Sequence, residues 1–141
     1  MAHEINTEIL INATPEKVWA VLSKFKEYPK WNPFINALSG DMIVGKKIKI
    51  VVQGMKIKPE LLVYEKNKEL RWIGHLLVNG IFDGEHFFIL VDNGNGTTTF
   101  KHGEKFNGIL IPLLKNTLEN KLKKSYLKMN EKLKEQVESS K

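Results

Sequence analysis

The end of this chain constrains its fold most. Phe100-Lys101-His102-Gly103-Glu104-Lys105-Phe106 alternates like a strand. Asn107-Gly108 breaks that pattern, and a long amphipathic segment then runs from about Ile109 to Val137. A strand that hands over to one long terminal helix needs a surface for the helix to cover. The rest of the chain reads as strands, so that surface is a curved sheet. A helix lying across a curved sheet encloses space, and enclosed space in a small protein commonly takes a ligand.

The upstream pattern fits this frame. Ile5, Thr7, Ile9 and Ile11 mark a first strand over about 3–12. Thr14-Pro15 opens a helix, with threonine as N-cap, proline in the first turn and Glu16 at the positive end of the helix dipole. Val18, Trp19, Val21, Leu22 and Phe25 form its apolar face. Tyr28-Pro29-Lys30-Trp31 reads as a second short helical turn, stopped by Asn32-Pro33. Six strands are expected next: Phe34–Leu38, Ile48–Val52, Ile57–Val63, Leu70–Ile73, Phe82–Val91 and Thr97–Phe106. Gly54-Met55, Lys66-Asn67, Asn79-Gly80 and Asp92–Gly96 supply the turns, and their shortness implies an antiparallel meander. On the last helix Leu114, Leu118, Leu122, Met129 and Leu133 recur at helical spacing, with Ile111, Ser125 and Tyr126 on or beside the stripe. Glu138–Lys141 reads as a frayed tail.

Composition narrows the function classes. A chain of 141 residues is expected to form one domain, 1–141. Without cysteine there is no disulfide frame, thiolate metal site or cysteine nucleophile, which fits a reducing cytosol. No apolar run approaches the ~20 residues of a membrane span, and Met1-Ala2-His3-Glu4 has neither the basic start nor the apolar stretch of a secretory signal. A cytoplasmic, soluble protein is expected. The net charge of +6 is almost wholly lysine, since Arg71 is the only arginine. Nucleic-acid readers favour arginine, so no nucleic-acid partner is expected. The lysines of the last helix, from Lys115 to Lys134, read first as a solvated face and second as a surface for an anionic membrane or nucleic acid.

Several segments, taken in order, resemble the START-like, birch-pollen-allergen-like (SRPBCC) superfamily. They are Ile11–Trp19, Tyr28–Phe34, Gly40-Asp41 with Val44-Gly45, Leu70-Arg71-Trp72, Phe82–Phe88 and Glu104–Leu110. More narrowly, the chain is similar to the bacterial polyketide cyclase/dehydrase-like lipid-transport proteins. The resemblance implies an α+β helix-grip fold. In it, a seven-stranded curved antiparallel sheet wraps around a long C-terminal helix, with two small helices between strands 1 and 2. It also implies an apolar cavity between sheet and helix. Members bind lipids, sterols, polyketides or other hydrophobic molecules, and some are cyclases. The family shares a cavity rather than a catalytic set, so activity does not follow from fold.

Chemistry-bearing residues are few. His102 and Glu104 share a strand face with Phe100 and Phe106. If those phenylalanines face a cavity, the pair could hydrogen-bond a ligand or move a proton; the alternative is pairing with Arg71, with backbone or with water. His86 shares a face with Phe88 and Leu90, but both faces of that strand are apolar, so cavity wall and buried structural histidine stay open. His75 reads as solvated, and His3 is uninformative. Trp31 and Trp72 could stack on a flat ligand or fill space, whereas Trp19 reads as core. No metal-ligand spacing, phosphate loop or nucleophile elbow is present.

The leading expectation is therefore binding or transport of a small hydrophobic molecule, with no cofactor, metal or catalysis required. Trp31, Phe34, Ile48, Ile50, Leu61, Trp72, Phe88 and Phe106 would supply cavity wall, and Leu114 and Leu118 the helix side. His102 and Glu104, with His86 or Arg71, would orient the ligand. A cyclase or dehydratase using His102 and Glu104 as acid and base is the first alternative. A protein-interaction or membrane-docking module on the lysine-rich helix, without stable membrane insertion, is the second.

Overall fold

The computed structural model describes residues 2–76 and 80–139. The chain begins with β1 (Ala2–Ile11), followed by α1 (Pro15–Leu22) with Thr14 extended before it and proline at its start. A single 3-10 turn (Phe25–Glu27) leads into α2 (Tyr28–Trp31). Burial anchors this corner. Tyr28 is fully enclosed, and its hydroxyl donates to the Leu22 carbonyl. The Asn32 side-chain oxygen accepts from the backbone N–H groups of Phe34 and Ile35, which turns the chain into β2 (Ile35–Ser39).

The hairpin partners follow as β3 (Lys49–Val52) and β4 (Met55–Ile57). Between them the turn falls on Gln53 and Gly54, both at positive φ, one residue earlier than expected. The expected strand Ile57–Val63 is divided at Lys58-Pro59, because proline cannot donate to a ladder. Its second half is β5 (Glu60–Glu65), so the described residues carry eight strands, the expected fourth being split in two. After β5 come β6 (Glu69–Leu76), β7 (Phe82–Asp92) and β8 (Thr98–Asn107), all joined antiparallel.

The strands form a five-stranded ladder in the order β1-β8-β7-β6-β5 and a three-stranded ladder in the order β2-β3-β4. The segment before β3 stitches the two together: Gly45 N–H donates to the Leu61 carbonyl, and Leu61 N–H to that of Lys46. The result is a curved antiparallel surface gripping the C-terminal helix, the helix-grip arrangement that the family resemblance implies.

Gly108 makes the strand-to-helix corner at φ +131°, and a Cβ there would collide with the Ile81 carbonyl. The helix then runs as α3 (Ile111–Thr117), a π-helical stretch (Leu118–Leu122) and α4 (Lys123–Ser139). The buried stripe is Ile111, Leu118, Tyr126, Met129, Leu133 and Val137. Burying each such side chain contributes about 1.5–3 kcal/mol. Glu138 and Ser139 continue the helix rather than fraying, and the Glu138 carboxylate accepts from Asn12 N–H and the Lys134 ammonium. The expected break at Asn79, and Ser140 and Lys141 of the expected tail, lie outside the described residues.

Candidate functional site

Sheet and helix do not close on each other along their whole length. Toward the end bounded by β4 and by the start of β7 they leave a cavity of about 510 Å³. Its walls are mostly apolar. Phe34, Trp72, Phe82 and Phe106 are the aromatic part, Val52 and Ile57 come from the small ladder, and Leu122 comes from the π stretch. Lys56, Lys58 and His75 border it with exposed side chains.

Strand alternation decides which polar groups reach this space. Trp72 on β6 faces His86 on β7, and His86 faces Glu104 on β8. The inner face of β7 is therefore the one carrying Gly84, His86, Phe88 and Leu90. His86 is held between two rings: Trp72 lies parallel to it at 5.2 Å and 7°, Phe34 at 5.8 Å and 18°. Glu104 lies over Gly84, where a Cβ would overlap the carboxylate oxygen Oε2. Glycine at 84 makes room for the acid.

Behind the cavity a chain of hydrogen bonds leads into the core. The Tyr126 hydroxyl donates to Glu104 Oε1 at 2.5 Å, and His86 Nδ1 meets the same oxygen at 2.9 Å. His86 Nε2 meets His102 Nε2 at 2.7 Å, and His102 Nδ1 meets Asn130 Oδ1 at 2.8 Å. The Asn130 amide donates to Thr7 Oγ1 at 2.8 Å, and Thr7 donates to the His102 carbonyl at 2.6 Å. Thr7, His86, His102 and Asn130 are all buried.

The direction of every proton in this chain follows from Thr7. A hydroxyl has one hydrogen, and the His102 carbonyl takes it. Thr7 Oγ1 must then accept from the Asn130 amide, which leaves Asn130 Oδ1 to accept from His102 Nδ1–H. Burial, with the nearby His86 adding to it, pushes the His102 pKa well below the usual 6.5, although its hydrogen bonds to Asn130 and to the Tyr126 backbone pull the other way. His102 is thus neutral, its Nε2 is bare, and His86 Nε2–H donates to it. One proton remains, in the link between His86 Nδ1 and Glu104 Oε1. The Tyr126 hydroxyl keeps its own proton, since burial first and the Glu104 carboxylate second push its pKa well above 10.0.

The expected site residues divide accordingly. Phe34, Trp72, His86, Glu104 and Phe106 are brought together on the cavity wall. His102 is not among them: it lies one layer deeper, behind His86, and is fully enclosed. Ile48, Ile50, Leu61 and Phe88 belong to the buried core and do not line the cavity. Trp31 packs its edge against Tyr28 instead of the cavity. Leu114 and Leu118 lie too early on the helix, and Leu122 and Tyr126 take their place. Arg71 alternates with Trp72 and so sits on the outer face of the sheet. It pairs there with Glu69 at 2.7 Å and Glu85 at 2.6 Å and covers the Phe87 ring. His75 lies near the end of β6 with an exposed side chain, 2.7 Å from Asp83.

Tyr126 and Asn130 were missed. Their spacing of four on one helix face is the available signal; Tyr126 reads as part of the apolar stripe, and Asn130 beside Met129 carries no pattern of its own. Among the described residues no group of three or more His, Cys, Asp or Glu side chains could hold a metal ion.

A family model described as polyketide cyclase / dehydrase and lipid transport matches residues 2–138. The chain belongs to this family. Solved structures place it in the same fold. A Mesorhizobium loti protein is 20% identical with a TM-score of 0.76, covering 99% of each chain. A START superfamily protein from Mycobacterium smegmatis is 18% identical with a TM-score of 0.71, again covering 99% of each. The Zhui aromatase/cyclase from Streptomyces sp. R1128 is 11% identical with a TM-score of 0.73, covering 98% of this chain and 94% of its own. No curated protein matches in sequence. Within the polyketide cyclase and lipid-transport family, the cavity, Glu104 and the chain behind it are the features from which this member's function must be argued.

Proposed function

We propose that the protein binds a small, largely apolar ligand in the cavity between sheet and helix, with Glu104 and Tyr126 at its polar corner. One observation carries this reading: an aromatic-walled space of about 510 Å³ with a partly accessible carboxylate at its floor. That size is ordinary for small-molecule sites, as is an apolar lining with few convergent polar groups. Removing apolar surface from water, at roughly 25 cal/mol per Å², supplies most of the affinity. The polar corner sets orientation.

Amide and methyl shift mapping against fatty acids, sterols, quinones and flavonoids tests the reading. Ligands should move resonances of Val52, Trp72, Phe82, Phe106 and Leu122 and leave those of Ile48 and Leu61 largely unmoved. If nothing in the panel shifts the first group, the cavity is not a binding site.

A second reading is proton-transfer catalysis of the cyclase or dehydratase kind, with Glu104 rather than His102 as the group at the substrate. The shared proton between Glu104 and His86 favours it, because a carboxyl linked to an imidazole can give or take a proton without opening to water. Glu104→Gln should then cut turnover of a polyketide-like substrate by about 10²–10⁴ while substrate still binds. Equal turnover in wild type and variant removes this reading and leaves binding untouched.

A further inference from the structure

We infer that the cavity selects ligands whose buried end carries a hydrogen-bond donor, a hydroxyl or an amine, and rejects those that lead with a carboxylate or an ether. The inference rests on the cavity-binding reading and adds the chemistry of the ligand's head.

It follows from counting atoms at the floor. Glu104 Oε1 is fully engaged, by the Tyr126 hydroxyl and by His86 Nδ1. Both nitrogens of His86 are engaged, and the Tyr126 proton is committed to Oε1. What remains on the carboxyl group is Oε2, which has no hydrogen-bond partner among the described residues and lies over Gly84 on the cavity wall. The proton shared with His86 sits on the Oε1 side wherever it rests along that link. Oε2 is therefore an acceptor in either state. A hydroxyl or amine head satisfies it. An ether oxygen or a carboxylate brings a second acceptor against it, at a place walled by Trp72, Phe106 and Phe34. Lys56 and Lys58 line the cavity with exposed side chains, whereas Glu104 is 16% exposed.

Three probes with one apolar body separate the cases: 2-naphthol, 2-methoxynaphthalene and 2-naphthoate, titrated at neutral pH and followed by the shifts of Trp72, Phe82 and Phe106. Naphthol should bind about tenfold tighter than the ether, and naphthoate weakest. In Glu104→Gln, checked for an intact thermal transition, the preference for naphthol over the ether should shrink to within about twofold. Naphthoate binding as tightly as naphthol overturns the inference. So does a naphthol preference that survives in Glu104→Gln. Equal binding of all three leaves the cavity reading standing and removes the donor-selective floor. Absence of any shift from all three removes both. If the variant does not fold, the wild-type ranking alone decides.

Discussion

The sheet carries an acid–base group on each face of the same strands, and the two are built to opposite ends. Outside, Arg71 on β6 pairs with Glu69 and Glu85, with side chains still 17–28% exposed. Inside, one residue along, Trp72 leads to His86 and Glu104, which are 4% and 16% exposed. Burial lowers the Arg71 pKa, but the hydrogen bonds and charges of both glutamates outweigh it and raise it. The outer cluster is a surface ion pair that water and salt can replace, of a kind typically worth 0–1 kcal/mol. The inner group has no such substitute, and its protons are directed by partners two and three layers deep. Similar side chains, a few ångströms apart across a sheet, thus decorate one face and organise the other.

The contrast breaks if inner and outer substitutions cost the same. Asn130→Leu should be the most damaging, because it strands the His102 Nδ1–H in the core and removes the donor to Thr7 Oγ1; about 3 kcal/mol of lost stability is expected, read from urea midpoints. Tyr126→Phe removes one charge-assisted donor and should cost about 1.5 kcal/mol. Tyr126→Phe should also blunt alkaline destabilisation. The unfolded chain releases the phenol proton near 10.0 while the folded protein holds it, so wild type loses stability as pH rises beyond that value. Acid sharpens the comparison from the other side. The unfolded chain binds the His102 proton near 6.5 and the folded chain does not, so stability should hold above that pH and fall as pH drops below it. Arg71→Ala should cost least, about 0.5 kcal/mol, and less again in high salt. An Arg71→Ala loss equal to that of Asn130→Leu would erase the distinction between faces.

Much of this was legible in the chain. Alternation placed Phe100, His102, Glu104 and Phe106 on one inward face, and proline marked where α1 begins, although the Thr14 side chain makes no cap hydrogen bond. What alternation cannot show is depth. His102 and Glu104 point the same way, yet one is sealed by Asn130 on the helix and the other reaches the cavity. That depends on how far the helix sits from each strand, a tertiary quantity. The helix side was misplaced for a related reason. A regular stripe predicts Leu114 and Leu118 over the gap, whereas the π stretch 118–122 carries an extra residue per turn and lies where Leu122 and Tyr126 meet the cavity. The inward face of β7 was ambiguous because Phe87 is apolar too; it is buried at 5% under Arg71, on the outside.

The interruption at Pro59 has a consequence for how a cavity of this kind can vary. It assigns Val52 and Ile57 to a short hairpin on the small ladder, while the acid and its supporting relay belong to the large ladder and α4. Lengthening that hairpin would alter the volume of the cavity from the small ladder alone, while its turn stays tied to the relay through the Gln53 N–H bond to the Phe34 carbonyl.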